Sequence, residues 1–178
     1  MSGPGNRFEL RWLPDDLPAT RAAFAALAEA SFPAVFRQAH ALLGTAAEAE
    51  EATRDVFREA WKALPGYDGG KPGVWLAVLT HRVCADRLGL ARKPVPDLEP
   101  ASPDGEDDEL RVREPDKPLG DHLESLPPLE REILILRLVN GLTTKEAARV
   151  TGFEAGPLGQ VLARSLRRLR SQLLRHGL

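Results

Sequence analysis

The chain has 178 residues, of which 43% are hydrophobic and 28% charged, and its formal net charge is −2. This balance is typical of a globular protein and excludes a fibrous or largely disordered chain. No run of 18 apolar residues is present, so we expect no membrane insertion. The first residues lack the apolar stretch of a signal peptide, and Cys84 is the only cysteine, so no intrachain disulfide can form. These features predict a cytoplasmic protein.

The first half of the chain predicts three helices and no strand. An Ala- and Leu-rich stretch over 18–43 ends at Gly44, a residue type that commonly stops a helix, and Pro33 is expected to kink or divide this helix. A second helix is predicted over 46–64 and a third over 73–93. Helical spacing gives each an apolar side, formed in the second helix by Ala49, Ala52, Val56, Ala60 and Leu64 and in the third by Trp75, Val78, Leu79 and Val83.

Charge divides the chain into three parts. Residues 1–93 carry 12 Lys/Arg and 11 Asp/Glu, residues 94–118 carry 3 and 9, and residues 119–178 carry 9 and 6. The middle part also holds six of the fifteen prolines. Because proline lacks a backbone donor and like charges repel, this part cannot pack a core. We therefore predict an all-α fold of two small helical domains, 1–93 and 119–178, joined by a flexible, acidic, Pro-rich linker at 94–118.

The second half predicts a helix-turn-helix. Helices are expected over about 119–125, 128–139, 143–150 and 155–175, the last two separated by the Gly-containing turn TGFE at 151–154. Thr143 followed three residues later by Glu146 is a capping box, which marks a helix start. The apolar sides of the second and last of these helices are Leu129, Ile133, Leu136 and Val139, and Leu158, Leu162, Leu166, Leu169 and Leu173. The second helix of such a unit fits the major groove of DNA.

The last helix has a basic face opposite its leucines. From residue 155 onward the chain has five arginines and no acidic residue, and a helical wheel groups Gln160, Arg164, Arg167, Arg168 and Arg175. The planar fork of arginine donates two hydrogen bonds at once, which suits both phosphate and guanine. This face predicts DNA binding, and a helical bundle with a solvated basic face is the alternative.

No arrangement of residues predicts catalysis, a metal or a cofactor. The four histidines, His40, His81, His122 and His176, have no partner at metal-ligand spacing, so surface or partly packed positions are expected for them. Cys84 lacks a motif partner and is expected to be a buried, inert thiol. The glycines of 66–73 do not follow a strand, as a phosphate-binding loop would. We therefore predict a protein that is not an enzyme.

Two long stretches carry a family resemblance. The sequence AEEATRDVFREAWKALPGYDGGKPGVWLAVLTHRVCADRL (49–88) resembles region 2 of extracytoplasmic-function (ECF) sigma factors of the sigma-70 family. The sequence LPPLEREILILRLVNGLTTKEAARVTGF (126–153) resembles their region 4, and the order of the regions and the Pro-rich tether match as well. The resemblance implies a factor that directs RNA polymerase to specific promoters. It implies core RNA polymerase and promoter DNA as partners, with an anti-sigma factor as a further candidate.

The resemblance also implies roles for individual residues. Region 2 would dock on the polymerase through the exposed face of the second helix, formed here by Glu51, Arg54, Asp55, Arg58 and Lys62. The following loop and third helix would capture a flipped base of the melted promoter with Tyr67, Asp68, Lys71 and Trp75, with Arg82 and Arg87 available to phosphates. For Trp75 itself, a core position is favoured over a contact with a base. In region 4, contacts to the duplex would come from Lys145, Gln160, Arg164, Arg167 and Arg168.

Two departures from the family pattern leave other functions open. Family members usually enter the recognition helix with Gly-Thr-Val-Lys-Ser-Arg, whereas this chain has EAGPLGQV (154–161), with Pro157, Gly159 and Val161. Pro72 and Gly73 stand where an aromatic–basic pair commonly precedes the tryptophan. One alternative is a sigma-like protein that binds polymerase or an anti-sigma partner without specific promoter reading. The other is a helix-turn-helix regulator that binds duplex operators alone.

Overall fold

A computed structural model describes residues 15–89, 123 and 126–175, and no strand occurs among them, which confirms the all-α prediction. The helices are α1 (Leu17–Leu43), α2 (Ala46–Ala63), α3 (Pro72–Arg87), α4 (Pro128–Leu134), α5 (Thr144–Thr151) and α6 (Ala155–Arg175). A 3-10 turn (Leu64–Gly66) follows α2, and a π-helical turn (Ile135–Val139) follows α4. The predicted linker at 94–118 and most of the predicted helix at 119–125 lie outside the described residues, as do His122 and His176.

Local signals determine where the first three helices begin and end. The Asp16 carboxylate caps α1 by accepting a hydrogen bond from the Ala19 amide at 3.0 Å, and Gly44 ends α1 with a φ of 87°. Pro33 lies inside α1 and does not divide it, so of the two expected outcomes, a kink or a division, division does not occur. Proline removes only one backbone donor, and α1 stays anchored by buried side chains before and after it, among them Leu27 and Val35. Helix α3 ends at Arg87 rather than at residue 93, because Gly89 takes a left-handed φ of 64°.

The apolar stripes lie where helical spacing predicts them. All five residues of the α2 stripe are fully buried, which confirms the predicted core side of that helix. On α3, Val78 and Leu79 are buried, whereas Trp75 and Val83 are half-buried. In the C-terminal part, Ile133, Leu136, Leu158 and Leu169 are buried, and Leu129, Val139, Leu162 and Leu166 are half-buried. The side chain of Leu173 lies outside the described part of the chain.

The helix predicted over 128–139 changes its hydrogen bonding after Leu134. The amide of Asn140 donates to the carbonyl of Ile135 at 2.8 Å, and the amide of Leu142 donates to that of Leu136 at 2.9 Å. These are wider turns than the α-helical pattern. They turn the chain so that Leu142 enters the core ahead of α5.

One hydrophobic core is shared between the two halves of the chain. It joins three residues of α3 (Val74, Ala77 and Val78) to a C-terminal set that includes Ile133, Leu136, Leu142, Ala147, Val150 and Leu158. We call this whole cluster, with its residues from both halves, the shared core. Other clusters belong to α1–α3 alone or to the C-terminal helices alone. Helix α1 packs on α4 and α3 packs on α5, so the two halves are in direct contact.

Candidate nucleic-acid interface

The helix-turn-helix forms as the sequence predicts. The Thr143 hydroxyl accepts a hydrogen bond from the Glu146 amide at 3.2 Å, and the Glu146 carboxylate accepts one from the Thr143 amide at 2.8 Å. Both halves of the capping box are therefore present, with Thr143 as the cap rather than the first helical residue. Gly152 ends α5 with a φ of 70°, a conformation that glycine adopts without strain.

The basic face of α6 is exposed, as predicted. Gln160, Arg164, Arg167 and Arg168 are exposed on α6, and Lys145 is exposed on α5, while the side chain of Arg175 lies outside the described residues. The Arg167 side chain donates to the carbonyl of Ala163, one turn earlier on the same helix. The side chains of Arg164 and Arg168 are 55% and 54% exposed. Such arginines retain the reach that phosphate contacts require.

A buried glutamate on α4 orients two of these arginines. The Glu130 carboxylate lies 3.1 Å from Arg164 Nη2 and 3.7 Å from Arg168 Nη1, and it accepts a hydrogen bond from the Ser165 hydroxyl at 2.7 Å. Glu130 is not among the site residues predicted from the sequence. Because Glu130 is buried, an arginine that leaves it for a phosphate gives up an ion pair with a carboxylate that still accepts a hydrogen bond from Ser165.

The first turns of α6 carry no charge that could contact bases. A methyl group added at Gly159 would meet no atom within 4 Å, so this position is open. Val161, in contrast, is half-buried and packs against the shared core. The basic contacts available on α6 therefore begin with Arg164, beyond the first turns.

The loop before α3 carries a paired aromatic unit. The rings of Tyr67 and Trp75 lie 4.7 Å apart between centroids, and both pack partly against the core of α1–α3. The Tyr67 hydroxyl donates to the carbonyl of Gly70, and the Gly70 amide donates to Asp68 Oδ1 at 2.9 Å. Burial, together with the charge of Asp68, raises the pKa of Tyr67 to about 12, so its phenol is neutral near pH 7. Trp75 thus has both a core side and an accessible edge.

Lys71, predicted to contact DNA, instead reaches the helix-turn-helix. Its Nζ lies 2.7 Å from Glu146 Oε1, and the lysine side chain is otherwise 70% exposed. Burial alone would raise the pKa of Glu146, but the hydrogen bonds from Lys71 and Thr143 and the charge of Lys71 lower it overall. The carboxylate that caps α5 therefore also holds the loop of the first half.

The exposed face of α2 carries alternating charges that pair along the helix. Arg54 lies 3.3 Å from Glu50, Arg58 lies 2.6 Å from Asp55, and Lys62 lies 2.8 Å from Glu59. Arg87 of α3 joins this face through Asp55 and through Glu51 at 3.4 Å. The hydrogen bond from Arg87 lowers the pKa of Asp55. Arg87 is thus engaged on the α2 face, whereas Arg82 is exposed.

A polar cluster that no sequence motif marks joins the two halves. The Glu132 carboxylate is fully buried and accepts a hydrogen bond from Gln38 Nε2 at 2.8 Å, and His81 Nδ1 lies 2.9 and 3.0 Å from its two oxygens. Gln38 Nε2 also donates to the carbonyl of Ala77 at 2.9 Å. Helical spacing could have indicated that Glu132 is buried, because position 132 lies three residues after Leu129 and four before Leu136, on the apolar side of its helix.

The described residues offer little other chemistry. They contain no group of three or more His, Cys, Asp or Glu residues that could hold a metal ion. Cys84 is buried, as predicted, and burial raises the pKa of its thiol to about 12. Within the same residues, every helix is too short or too polar to span a bilayer.

Comparison with known sequences identifies both halves. Residues 27–93 match the family described as Sigma-70 region 2, and residues 118–169 match the family described as Sigma-70, region 4. The chain is 30% identical over 157 residues to the ECF RNA polymerase sigma factor SigD of Mycobacterium tuberculosis, an alignment that covers 82% of this chain and 74% of SigD. It is 28% identical over 133 residues to the ECF RNA polymerase sigma factor RpoE of Cereibacter sphaeroides, covering 72% of this chain and 74% of that protein.

The fold is also similar to a solved structure. The sigma factor RpoE of Bartonella quintana, solved in complex with the anti-sigma factor NepR, superposes with a TM-score of 0.64 at 20% identity. The superposition covers 87% of this chain and 98% of that one. At this identity the likeness establishes the fold alone.

Proposed function

This chain belongs to the ECF sigma factors of the sigma-70 family, which direct RNA polymerase to promoters, and we propose that the surfaces described above divide this task. Region 2 comprises α1–α3 and region 4 comprises α4–α6. The observation that carries the proposal is that one chain holds both regions in order and exposes a basic helix in the second. No catalytic group is assigned to this chain, because the chemistry of initiation belongs to the polymerase. The cytoplasm is the proposed place of action.

The exposed face of α2 is the proposed contact with core RNA polymerase. This face carries both signs of charge, on Glu51, Arg54, Asp55, Arg58 and Lys62. The ion pairs that its arginines and its lysine form with acidic residues of the same helix lie at the surface. Such pairs exchange partners readily, because a surface ion pair contributes only about 0–1 kcal/mol. A partner with complementary charges would replace these internal pairs without leaving a charge unpaired.

The loop before α3 is the proposed contact with melted promoter DNA. Tyr67 and Trp75 offer partly exposed aromatic rings on which a base can stack, and the hydrogen bonds of Asp68 and Tyr67 to Gly70 fix the loop. Stacking contributes roughly 1–3 kcal/mol per base. Arg82 is the cation available to neighbouring phosphates, and Lys71 and Arg87 would have to leave Glu146 and Asp55 to join it.

The basic face of α6 is the proposed contact with duplex DNA. Arg164, Arg167 and Arg168 serve phosphates, with Gln160 and Lys145 beside them as polar contacts. Because Gly159 and Val161 supply no charge at the start of α6, we infer that this face of region 4 contributes mainly affinity for the phosphate backbone of DNA. An anti-sigma protein is a further proposed partner, since the solved relative of the same fold is bound by one.

The test is reconstitution with core RNA polymerase. The purified chain is mixed with core enzyme, the complex is isolated at moderate salt, and retained genomic DNA is sequenced before run-off transcription from the enriched sites. The Arg54→Glu, Arg58→Glu double variant should fail to form the complex. Arg21→Glu, a charge reversal on the exposed side of α1, is the matched control and should still form it. If the wild-type chain forms no complex with core enzyme, the proposal fails.

A further inference from the structure

The outward side of the first part of α1 is nearly uncharged. Eleven residues from Leu17 to Pro33 are exposed, and among these only Arg21 and Glu29 carry a charge. Five of the others are alanines, namely Ala19, Ala22, Ala25, Ala26 and Ala30. We call these eleven residues the outer α1 face. A helix that faces only solvent carries charged residues on its outer side, as α2 does in this chain, so solvation does not account for the outer α1 face.

Two large apolar side chains lie near the two ends of this face. Leu17 is 40% exposed and Phe32 is 46% exposed, and they are two of the three large hydrophobic residues that are exposed in the described part of the chain. The Phe32 ring stacks on that of Phe36, with 6.1 Å between centroids, so one side of the ring is packed and the other is available. Exposed apolar area that is concentrated in this way marks a surface that binds protein.

The charges of the outer α1 face are placed symmetrically about Ala25. Arg21 precedes Ala25 by four residues, and Glu29 follows it by four. Two antiparallel copies of α1 that cross at Ala25 would therefore set Arg21 of each copy at the level of Glu29 of the other. Parallel copies would set each charge beside its own kind. The face is thus complementary to itself in the antiparallel arrangement.

The apolar residues follow the same symmetry. At the crossing point the side chains are short, because Ala22, Ala25 and Ala26 occupy it, and short side chains allow two helix axes to approach to about 8 Å. In the same arrangement Leu17 of one copy lies at the level of Pro33 of the other, and Phe32 lies at the level of Pro18. Each large exposed side chain would therefore find an apolar partner at the end of the contact.

The two charges of the outer α1 face are available to a partner. Eight residues separate Arg21 from Glu29, which is about 12 Å along a helix and too far for a direct ion pair. Within the described ranges, neither residue pairs with another charged group. The arginines and the lysine of the α2 face, in contrast, are paired along their own helix.

We propose that the outer α1 face binds the same face of a second copy of this chain, in an antiparallel dimer with two-fold symmetry. One pair of helix faces is smaller than a standard protein interface. The dimer is therefore weak, with a dissociation constant on the order of tens of micromolar. The proposal follows from the exposed residues of α1 and does not rest on the proposed function.

The test is sedimentation equilibrium of the full chain from about 1 to about 500 µM. The wild type should change from monomer to dimer across this range. Ala25→Glu sets two like charges at the crossing point and should weaken the dimer by roughly tenfold or more. The matched control is Ala47→Glu, the same substitution at an exposed position of α2, which should leave the dimer unchanged. Circular dichroism checks that both variants keep the helical content of the wild type.

A charge exchange tests the antiparallel arrangement itself. Arg21→Glu and Glu29→Arg each set like charges opposite one another, so each variant alone should dimerise roughly fivefold more weakly than the wild type. An equal mixture of the two variants should dimerise as the wild type does, because every charge then meets its opposite. The double variant that carries both changes should also recover the dimer, which a parallel pair would not explain any better than it explains the wild type.

Two results would overturn the proposal. The first is a wild-type chain that stays monomeric at every concentration, which would leave the outer α1 face to a different protein or to the residues before Asp15. The second is a dimer that persists unchanged in Ala25→Glu and in both charge variants, which would place the association on another surface. Binding to core polymerase does not enter the measurement, so the proposed function and the dimer can fail separately.

Discussion

The two sides of α4 bury carboxylates for different purposes. Glu130 faces α6, where it accepts from the Ser165 hydroxyl and lies near Arg164 and Arg168. Glu132 faces α1 and α3 and is held by Gln38 and His81. The first carboxylate organises region 4 internally, and the second joins region 4 to region 2. Glu130 thus contributes to the stability of region 4 itself, whereas Glu132 contributes to the attachment of region 4 to region 2.

The largest expected difference between the two sides is in the cooperativity of unfolding. All three tryptophans, Trp12, Trp61 and Trp75, precede the linker, so their fluorescence reports on region 2 while circular dichroism reports on all helices. In the wild type the two urea transitions should coincide. Glu132→Ala should separate them, with region 4 unfolding earlier by about 3 kcal/mol, because Gln38 and His81 of region 2 are left without their partner in region 4.

The other side of α4 provides the control for this measurement. Glu130→Ala leaves the Ser165 hydroxyl unpaired and should lower the free energy of unfolding by about 1–3 kcal/mol. Its fluorescence and dichroism transitions should still coincide, since the contacts of Glu132 with Gln38 and His81 are intact. Coincident transitions in Glu132→Ala would show that the buried Glu132 does not couple the two regions.

The next effect concerns the arginines that Glu130 orients. Replacing Arg164, Arg167 and Arg168 with Ala should weaken binding of all duplexes similarly and reduce the slope of log affinity against log salt by about 0.9 for each phosphate that is no longer neutralised. Fluorescence anisotropy of labelled duplexes across a salt series measures both. Glu154→Gln, a charge change outside this face, is the control. A change in sequence preference, rather than a uniform weakening, would mean that these arginines read bases.

Much of α4 could be predicted from the sequence, and its partners could not. The spacing of Leu129, Ile133 and Leu136 indicates the buried side of the helix, because helical periodicity is a local property. The capping box at Thr143 and the start of α6 at Ala155 were predictable for the same reason. The change to π-helical bonding after Leu134 was not, because this wider turn leaves the apolar spacing before it unaltered.

The contacts of the candidate sites depend on residues far apart in the chain. His81 was expected to be a surface or partly packed histidine, and it is partly packed, but its partner Glu132 lies 51 positions away. Lys71 and Glu146 are 75 positions apart. Only the packing of α1 on α4 and of α3 on α5 brings these groups together, and no local pattern encodes that packing. The surface residues of α2 and α6 were predictable because exposure follows from the helical face alone.

A smaller difference between the two sides of α4 is their response to pH. Burial lowers the pKa of His81, but the hydrogen bond and charge of Glu132 outweigh it, so the pKa is raised above 6.5. The His81 ring contacts the Glu132 carboxylate of α4, which also accepts a hydrogen bond from the Gln38 amide of α1. The histidine therefore stabilises the packing of region 4 on region 2 fully below about pH 6.5, and this contribution disappears as the pH rises through the raised pKa.

The free energy of unfolding, measured by urea denaturation at each pH, should accordingly lose this contribution as the pH is raised from about 6 to about 9. His81→Gln should abolish this dependence, whereas Glu130→Gln should keep it. A dependence that persists in His81→Gln would assign the titration to another group.

The smallest effect would stabilise region 4 without altering the contacts between region 2 and region 4. Gly159→Ala should raise the free energy of unfolding of region 4 by about 1 kcal/mol, because alanine loses less conformational entropy in a helix and its methyl group meets no atom within 4 Å. Urea unfolding followed by circular dichroism, in the Glu132→Ala background where region 4 unfolds separately, measures the shift. Gly152→Ala is the opposite control, since its φ of 70° strains an alanine and should destabilise the region by about 1 kcal/mol. If Gly159→Ala instead destabilises region 4, α6 is not a regular helix at this position, and the placement of its arginines relative to Glu130 would have to differ as well.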